Sequence, residues 1–381
     1  MKIRILTIIF TEECPLECRY CYLERQDGYG TCDKYKIQEI WDKVENFKNS
    51  LQEGEFGRVC FSGGEPLLYW NEIKKIILHY GHSLGYEFNT SAYLLTLDML
   101  EFLKDYIVIF NLSVDGGEKF ANWRRPLKSD SGGVGYYKHT KNIFPALLYY
   151  FPKTRYKIIV CKRCIDLMYE QYLEAQRFGF RNIDFVLDLN ERGEYGITRE
   201  SNPTGTEWAE EDYQKFADQL VTIAKEICLG ISFGIEKSHV VGIDNVIRSL
   251  FSSKFEEPSC KVLDKRTNSP MNRVETFCLE NFGFSPEAAK SKFYEELEQN
   301  MYKCPRDENC PFFKGCLESS CLQDNYGENG QLTYVSTPNC GFYKAFGVAA
   351  LNILNFCYTT DTGPFTSEWL AQFLREEDIN G

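Results

Sequence analysis

Ile3–Phe10 reads IRILTIIF and Cys14–Glu24 reads CPLECRYCYLE, so three thiols, Cys14, Cys18 and Cys21, follow directly on an apolar run. A short apolar and β-branched run closed by the polar TEE has the form of a buried strand, which places the cysteines in the loop at its carboxyl end. A four-iron cluster takes one ligand per iron, and structural sites usually supply four cysteines. A site closed by only three protein thiolates keeps one coordination position for something else, which by analogy with open catalytic metal sites points to chemistry. The spacing alone also suits a zinc knuckle or three buried free thiols, because Cys is among the most buried residue types.

The chain downstream gives that loop a scaffold. Short β-rich runs at Ile3–Phe10, Gly57–Phe61, Tyr86–Thr90, Tyr106–Val114, Tyr156–Val160 and Asn182–Leu189 alternate with helical patterns at Lys36–Phe47, Glu72–His79, Leu97–Lys104 and Leu167–Phe178. Strand–helix alternation of this kind builds a parallel sheet, and six repeats predict an α/β fold, a partial (β/α)6 TIM-type barrel. In parallel barrels the loops after the strands build the active site, so chemistry is expected just past each strand end. After a loop over Arg192–Gly205 and a long helix near Trp208–Cys228, the strand rhythm is lost, and Cys260–Cys340 becomes cysteine-dense. The expected domains are residues 1–235 for the barrel, 236–345 for a small cysteine-rich unit and 346–381 for a helical tail containing FGVAALNILNF.

Composition narrows the classes. The chain has 381 residues, 43% hydrophobic and 15% aromatic, long enough for a large barrel and an accessory unit. A formal net charge of -12 argues against a general phosphate-binding surface and so against a nucleic-acid partner. The opening MKIRILTIIF lacks a cleavage site and reads as a strand, and no run approaches the about 18 consecutive apolar residues of a membrane span. Sixteen cysteines without a secretory leader suit a reduced, cytoplasmic setting.

Two further motifs fall at strand ends. Ser62–Pro66 reads SGGEP, and Gly63 and Gly64 let the backbone approach a ligand closely, with exposed amides and carbonyls able to hold an ammonium group. The alternative is a plain tight turn. Asn111–Pro126 reads NLSVDGGEKFANWRRP; Ser113 and Asp115, two apart, are expected on one face of an extended strand, and Arg125 offers a planar fork for a carboxylate. Its alternative is an Asp-Gly turn followed by a solvated basic pair.

Taken in order, these motifs resemble the radical S-adenosylmethionine (radical SAM) superfamily, in which a Cx3Cx2C loop carries a 4Fe–4S cluster. The resemblance implies Cys14, Cys18 and Cys21 as cluster ligands, Gly63, Gly64 and Glu65 at the methionine amino group, Ser113 and Asp115 at the ribose, Arg125 at the methionine carboxylate and Tyr20 against the adenine. Asn89 falls where a TNG segment is common, although Ser91 replaces the Gly. Val186–Leu189 would add apolar contact. The implied activity is reductive cleavage of S-adenosylmethionine to a 5′-deoxyadenosyl radical that takes hydrogen from a substrate.

The cysteine-rich region resembles the SPASM extension, which holds auxiliary iron–sulfur clusters. By order, Cys260, Cys278 and Cys321 would bind a first auxiliary 4Fe–4S cluster, and Cys304, Cys310, Cys316 and Cys340 a second. The usual CxxC is here Cys304 to Cys310, Cys316 to Cys321 is one residue longer than usual, and Asn272 stands near where a Gly is expected. A fourth ligand for the first cluster is missing, which leaves an open iron, a reach from Cys228 or Cys357, or a single auxiliary cluster; a zinc ribbon fits the count locally.

SPASM members frequently modify ribosomally made peptides, so a peptide substrate is expected, crosslinked through a thioether or carbon–carbon bond. The rivals are sulfatase-maturase-like oxidation of a protein Cys or Ser, radical modification of a small molecule or sugar, and, in another class, a noncatalytic metal-binding scaffold. The implied partners are an external reductant such as flavodoxin or ferredoxin and, because the chain opens in its first strand, a separate leader-binding protein. Glu236 and Asp188 are candidate proton acceptors near strand ends. Cys161 and Cys164 form CKRC, a spacing open to metal or redox work or to chance, and the four histidines show no ligand spacing.

Overall fold

A computed structural model of the chain describes residues 2–21, 34–128, 135–187, 208–235, 237–252, 286–300, 303–318, 330–335 and 337–359. Its centre is one sheet of seven parallel strands in chain order, β1 (Lys2–Ile9), β2 (Glu55–Ser62), β3 (Gly85–Thr90), β4 (Val108–Ser113), β5 (Arg155–Val160), β6 (Asn182–Leu187) and β7 (His239–Val240). Helices on the crossovers are α1 (Lys34–Asn49), α2 (Trp70–Tyr80), α3 (Leu97–Leu103), α4 (Glu118–Arg124), α5 (Tyr136–Thr140), α6 (Phe144–Tyr150), α7 (Met168–Phe178) and α8 (Glu210–Ser232). Beyond the sheet lie α9 (Val241–Phe251), α10 (Pro286–Gln299), α11 (Phe313–Glu318) and α12 (Thr337–Thr359). Six predicted strands appear within one or two residues of their expected ends. The seventh, pairing Asn182 with His239, is two residues long, too short to show any alternation in sequence.

Local chemistry sets the helix ends. Thr96 caps α3 by accepting from the Met99 amide at 3.3 Å, and Gly179 closes α7 in the left-handed region at φ 94. Glu210, Glu211 and Asp212 load the first turn of α8 with negative charge, the sign that complements a helix N-terminus.

The two faces of the sheet differ in chemistry. On the helix-covered face Phe61, Phe88 and Phe110 pack in sequence across three strands, the first pair tilted and the second stacked, each fully buried; burial of one such side chain contributes about 1.5–3 kcal/mol. The opposite face is polar. Arg58 on β2 and Asn111 on β4 both donate to Glu87 on β3, at 3.4 and 2.6 Å, and Asn111 also donates to Asn89 at 2.9 Å. Barrel interiors are usually filled by branched apolar residues, so this inner face is built for something other than packing.

Two expected domain boundaries shift. The sheet runs on past residue 235 through β7, and the boundary at 345 falls inside α12, which begins before Cys340. Phe346, Ala349, Ala350 and Ile353 bury one face of that helix, which packs on α8 and α9, so the apolar tail belongs to the body of the protein. Its Cys340–Thr359 stretch is the one described helix long and apolar enough to span a membrane by composition, and 44% of that window is buried inside the protein. In the cysteine-rich part, Glu296 of α10 accepts from the Leu332 and Thr333 amides at 2.7 and 3.0 Å and so ties the 330–335 segment down.

Candidate functional site

The cysteine loop is clamped between the two other motifs. On one side the amides of Gly64 and Glu65 donate to the Thr11 and Glu13 carbonyls, both at 2.9 Å. On the other, Glu17 and Arg19 amides donate to the Pro126 and Arg124 carbonyls at 2.7 and 2.9 Å, and Lys128 donates back to Pro15 at 3.0 Å. A Leu16–Leu127 bridge completes a short antiparallel ladder. Three segments distant in sequence thus meet at the carboxyl ends of β1, β2 and β4.

The glycines of SGGEP serve that meeting. A Cβ on Gly64 would lie 2.1 Å from the Glu13 carbonyl oxygen, and Gly63, at φ 117, would set one 2.6 Å from Thr11 O. The close approach is therefore to the cysteine loop itself. Replacing Gly64 with Ala is expected to push the loop off β2, lowering both the thermal midpoint and the iron retained after anaerobic reconstitution; an unchanged iron content would show the clamp to be dispensable.

Glu65 is fully buried and accepts from Thr90 Oγ1 at 2.7 Å and from the Ser91 amide and hydroxyl at 3.0 and 2.5 Å. Burial raises its carboxyl above the usual range, and these hydrogen bonds to Ser91 and Thr90 pull the other way. Its side chain pins the β2 end to the β3 end, which leaves the motif's backbone to meet a ligand. Ser91, the departure from TNG, is explained here: its hydroxyl completes the Glu65 cage, while the left-handed turn falls at Ala92, φ 59. Asn89 is held on the inner face, donating to Cys60 Sγ at 3.2 Å and Ser62 Oγ at 3.4 Å.

The third motif differs from expectation in one respect. β4 ends at Ser113, and Asp115 takes φ 69, so strand alternation does not carry it to the Ser113 face. Its fully buried carboxylate accepts from Arg125 Nε at 2.7 Å, the Ile159 amide at 2.8 Å and the Tyr20 hydroxyl. Three of the carboxylate's roughly four acceptor positions are thus used within the protein, and among the described residues Oδ1 accepts only from Ile159. Arg125 is buried too: besides Asp115, its Nη1 reaches Cys18 Sγ at 3.6 Å. The Tyr20 ring lies against the guanidinium groups of Arg124 and Arg125, at 4.3 and 5.2 Å, so both cations brace the face expected to meet an adenine.

The three thiols differ electrostatically. Burial pushes Cys14 up to about 12 against the pull of a hydrogen bond from the Leu16 backbone, and raises Cys18 although Arg125 opposes it. Without a metal both are protonated thiols. Each remains half-buried, as does Cys21, whose amide donates to the Cys18 carbonyl at 3.1 Å. A set of three soft donors on one braced loop fits a thiolate-bound cluster with an open position.

A second thiol set lies in the cysteine-rich part. Cys304, Cys310, Cys316 and Cys340 line one small cavity, open in part to solvent, with Arg306 and Lys344 at its wall. Cys340 is lowered to about 6, first because Cys316 donates to it and then through Lys344 and Arg306, while Cys316 is raised by the same contact. Among the described residues no three His, Cys, Asp or Glu side chains gather as a single-ion site. Four thiols around one cavity are the donor set of a 4Fe–4S cluster and equally of a structural zinc ion. Cys260, Cys278 and Cys321, with Asp188 and Glu236, lie outside the described residues. Cys228 and Cys357 approach one another between α8 and α12, where burial raises them to about 12 and about 11. Cys161 and Cys164 are fully buried with sulfurs 3.2 Å apart, and His239 pairs with Asp244 at 3.3 Å.

Sequence reasoning missed Thr11, Thr90, Ser91, Arg124 and Tyr136. Tyr136 donates to the Ser91 and Ser113 carbonyls at 2.8 and 2.9 Å, joining the ends of β3 and β4. Arg124 lies inside the third motif and Ser91 was noted only as a departure from TNG; for Thr11, Thr90 and Tyr136 a polar or aromatic residue beside a strand end was the only signal.

Comparison with known proteins agrees with this geometry. Residues 8–147 match the family model for the radical SAM superfamily. The radical SAM cyclopropyl synthase TigE of Paramaledivibacter caminithermalis is 22% identical over 205 residues, 50% of this chain and 42% of its own. The 7-carboxy-7-deazaguanine synthase of Methanocaldococcus jannaschii is 36% identical over 72 residues, 16% of this chain and 29% of its own. The chain thus spans less than half the length of these curated relatives. Among solved structures, anSMEcpe with bound AdoMet and the Cp18Cys peptide superposes with a TM-score of 0.64 at 15% identity, covering 98% of this chain and 100% of its own. SuiB of Streptococcus suis bound to precursor peptide SuiA gives 0.51 at 14%, covering 88% and 75%.

Proposed function

We propose that this chain, which carries a radical SAM domain at residues 8–147, is an enzyme that cleaves S-adenosylmethionine reductively and takes hydrogen from a peptide substrate. Members of that superfamily are enzymes that work with a 4Fe–4S cluster and S-adenosylmethionine. The observation that carries the reading is the clamped loop: Cys14, Cys18 and Cys21 are held by SGGEP on one side and the Asp115–Arg125 segment on the other. Bound there, the cluster and S-adenosylmethionine supply one-electron cleavage to a 5′-deoxyadenosyl radical and abstraction of a substrate hydrogen.

The protein's own residues do the positioning. Cys14, Cys18 and Cys21 would hold the cluster, the backbone of Gly63 and Gly64 would face the methionine end, and Ser113, at the end of β4, remains the hydroxyl for the ribose. Tyr20, braced by two guanidinium groups, offers a fixed ring edge for the adenine, and Val186, level with Ile159 on the inner face, adds apolar wall. Cys304, Cys310, Cys316 and Cys340 would hold one auxiliary cluster, with Cys260, Cys278 and Cys321 assigned to another by order alone.

A peptide substrate draws support from the peptide-bound relatives of like fold, and crosslinking through a thioether or carbon–carbon bond is the form we favour. Flavodoxin or ferredoxin would serve as reductant and a separate protein as leader binder. Anaerobically reconstituted protein given dithionite and S-adenosylmethionine is expected to form 5′-deoxyadenosine, measured by liquid chromatography. A sample that binds S-adenosylmethionine and forms none under several reductants would favour a noncatalytic scaffold.

A further inference from the structure

On the polar inner face of the sheet Arg58, Glu87, Asn111 and Asn89 hydrogen-bond to one another across β2, β3 and β4, with Asn111 Oδ1 left over. On β5, Arg155 is level with Asn111 and has a partner of its own, while Lys157 and Asp184 stand outside the network. Ser113 and Lys157 are register partners on β4 and β5, and Lys157 and Asp184 on β5 and β6, so all three side chains project from the same face. That face is the inner one, because the intervening Tyr156 and Phe185 are buried on the helix side.

Among the described residues, Lys157 and Asp184 are half-buried charges of opposite sign on neighbouring strands that form no ion pair, and neither has another polar side-chain partner. At the edge of the network stands Asn111, 6% exposed, whose Oδ1 is buried without a hydrogen-bond partner while its amide donates twice. A buried acceptor left unmet costs about 1–3 kcal/mol, and two half-buried charges held apart each forgo a partner. These costs are offset when a ligand brings an anion to Lys157 and N–H groups to Asp184 and Asn111.

We propose that Asn111, Lys157 and Asp184 form the specificity floor of the substrate site and select a peptide segment that presents a carboxylate side chain to Lys157 and backbone amides to Asn111 and Asp184. This rests on the peptide reading above and deepens it. The arrangement suits one carboxylate: Arg155, the other cation on this stretch of β5, already has a partner, and the acceptors beside Lys157 repel a second negative group. Its height in the sheet fits as well, because Lys157 is level with Ser113 at the end of β4, beneath the cysteine loop, where a substrate carbon and the cofactor's reacting end would meet.

Calorimetric titration of the reconstituted protein with acetyl-Ala-Ala-Glu-Ala-Ala-amide and acetyl-Ala-Ala-Lys-Ala-Ala-amide tests this. The wild type is expected to bind the glutamate peptide at least about tenfold more tightly, Lys157→Met to erase the preference and Lys157→Glu to reverse it. Asp184→Asn, which keeps the side-chain shape, is expected to weaken both peptides alike, and circular dichroism of every variant identifies any that misfolds. Equal binding of the two peptides by the wild type, or no binding of either, overturns the assignment. So does a Lys157→Met variant that loses S-adenosylmethionine affinity and keeps the glutamate preference. 5′-Deoxyadenosine formation by the wild type is measured in parallel: its absence counts against the enzymatic reading, whereas its presence without a peptide preference counts against the specificity floor alone.

Discussion

Replacing Cys14, Cys18 and Cys21 together with Ala is expected to remove about four irons per chain and to abolish 5′-deoxyadenosine formation, while iron held elsewhere remains. The loss should be complete because, among the described residues, these three are the loop's only soft donors. Two groups that act on the thiols are engaged: the Arg125 guanidinium reaches Cys18, and the Glu65 carboxylate is held by Thr90 and Ser91. The triple replacement should leave the fold intact, since all three side chains are half-exposed and the loop is anchored through the backbone carbonyls and amides of Thr11, Glu13, Pro15, Glu17 and Arg19. Iron and sulfide analysis of the wild type and the variant under identical anaerobic reconstitution is the measurement. The iron that survives counts the auxiliary clusters: about four irons would fit the cavity of Cys304, Cys310, Cys316 and Cys340 alone, and about eight would require the second set. Retention of the wild-type iron would remove these three cysteines from the ligand assignment.

The sequence displayed the site's chemistry more clearly than its mechanics. The order of Cx3Cx2C, GGEP and SVDGG at successive strand ends was legible because strands alternate regularly and parallel folds put loops of like function at one end. What each polar side chain does was not, because that depends on contacts between segments far apart in the chain. Asp115 shows the difference. Spacing of two predicts a face shared with Ser113, but the strand stops at Ser113 and a positive φ turns Asp115 inward onto Arg125 and Tyr20. Gly64 shows it too: the sequence points to close approach of a ligand, and the backbone lying against the glycine in the fold is Glu13's. The unpaired Lys157 and Asp184 carried no motif at all; only the register between β5 and β6 brings them side by side.

The Asp115 knot carries the second large effect. Asp115→Asn is expected to lower stability by about 3–5 kcal/mol, because it leaves the buried Arg125 guanidinium without its counter-charge, and to weaken S-adenosylmethionine binding at least tenfold. Asn is the informative replacement. It tolerates the left-handed backbone at φ 69 and can still accept from the Ile159 amide, so the change isolates the charge from the turn. Binding should fall with stability because the same carboxylate holds Tyr20 and Arg125, and Arg125 in turn braces Cys18; once released, the cysteine loop keeps its backbone ladder but loses the side-chain anchor at its centre. Asp115→Asn combined with Arg125→Gln removes both charges and should recover part of the stability lost in the single variant, since no uncompensated ion is then buried. Urea unfolding followed by circular dichroism, with calorimetric titration of S-adenosylmethionine into reconstituted protein, reads both effects. A single variant within about 1 kcal/mol of the wild type, or a double variant no better than the single, would mean that the ion pair is not what holds the loop, and the clamp would then rest on the Glu65 cage and the backbone ladder alone.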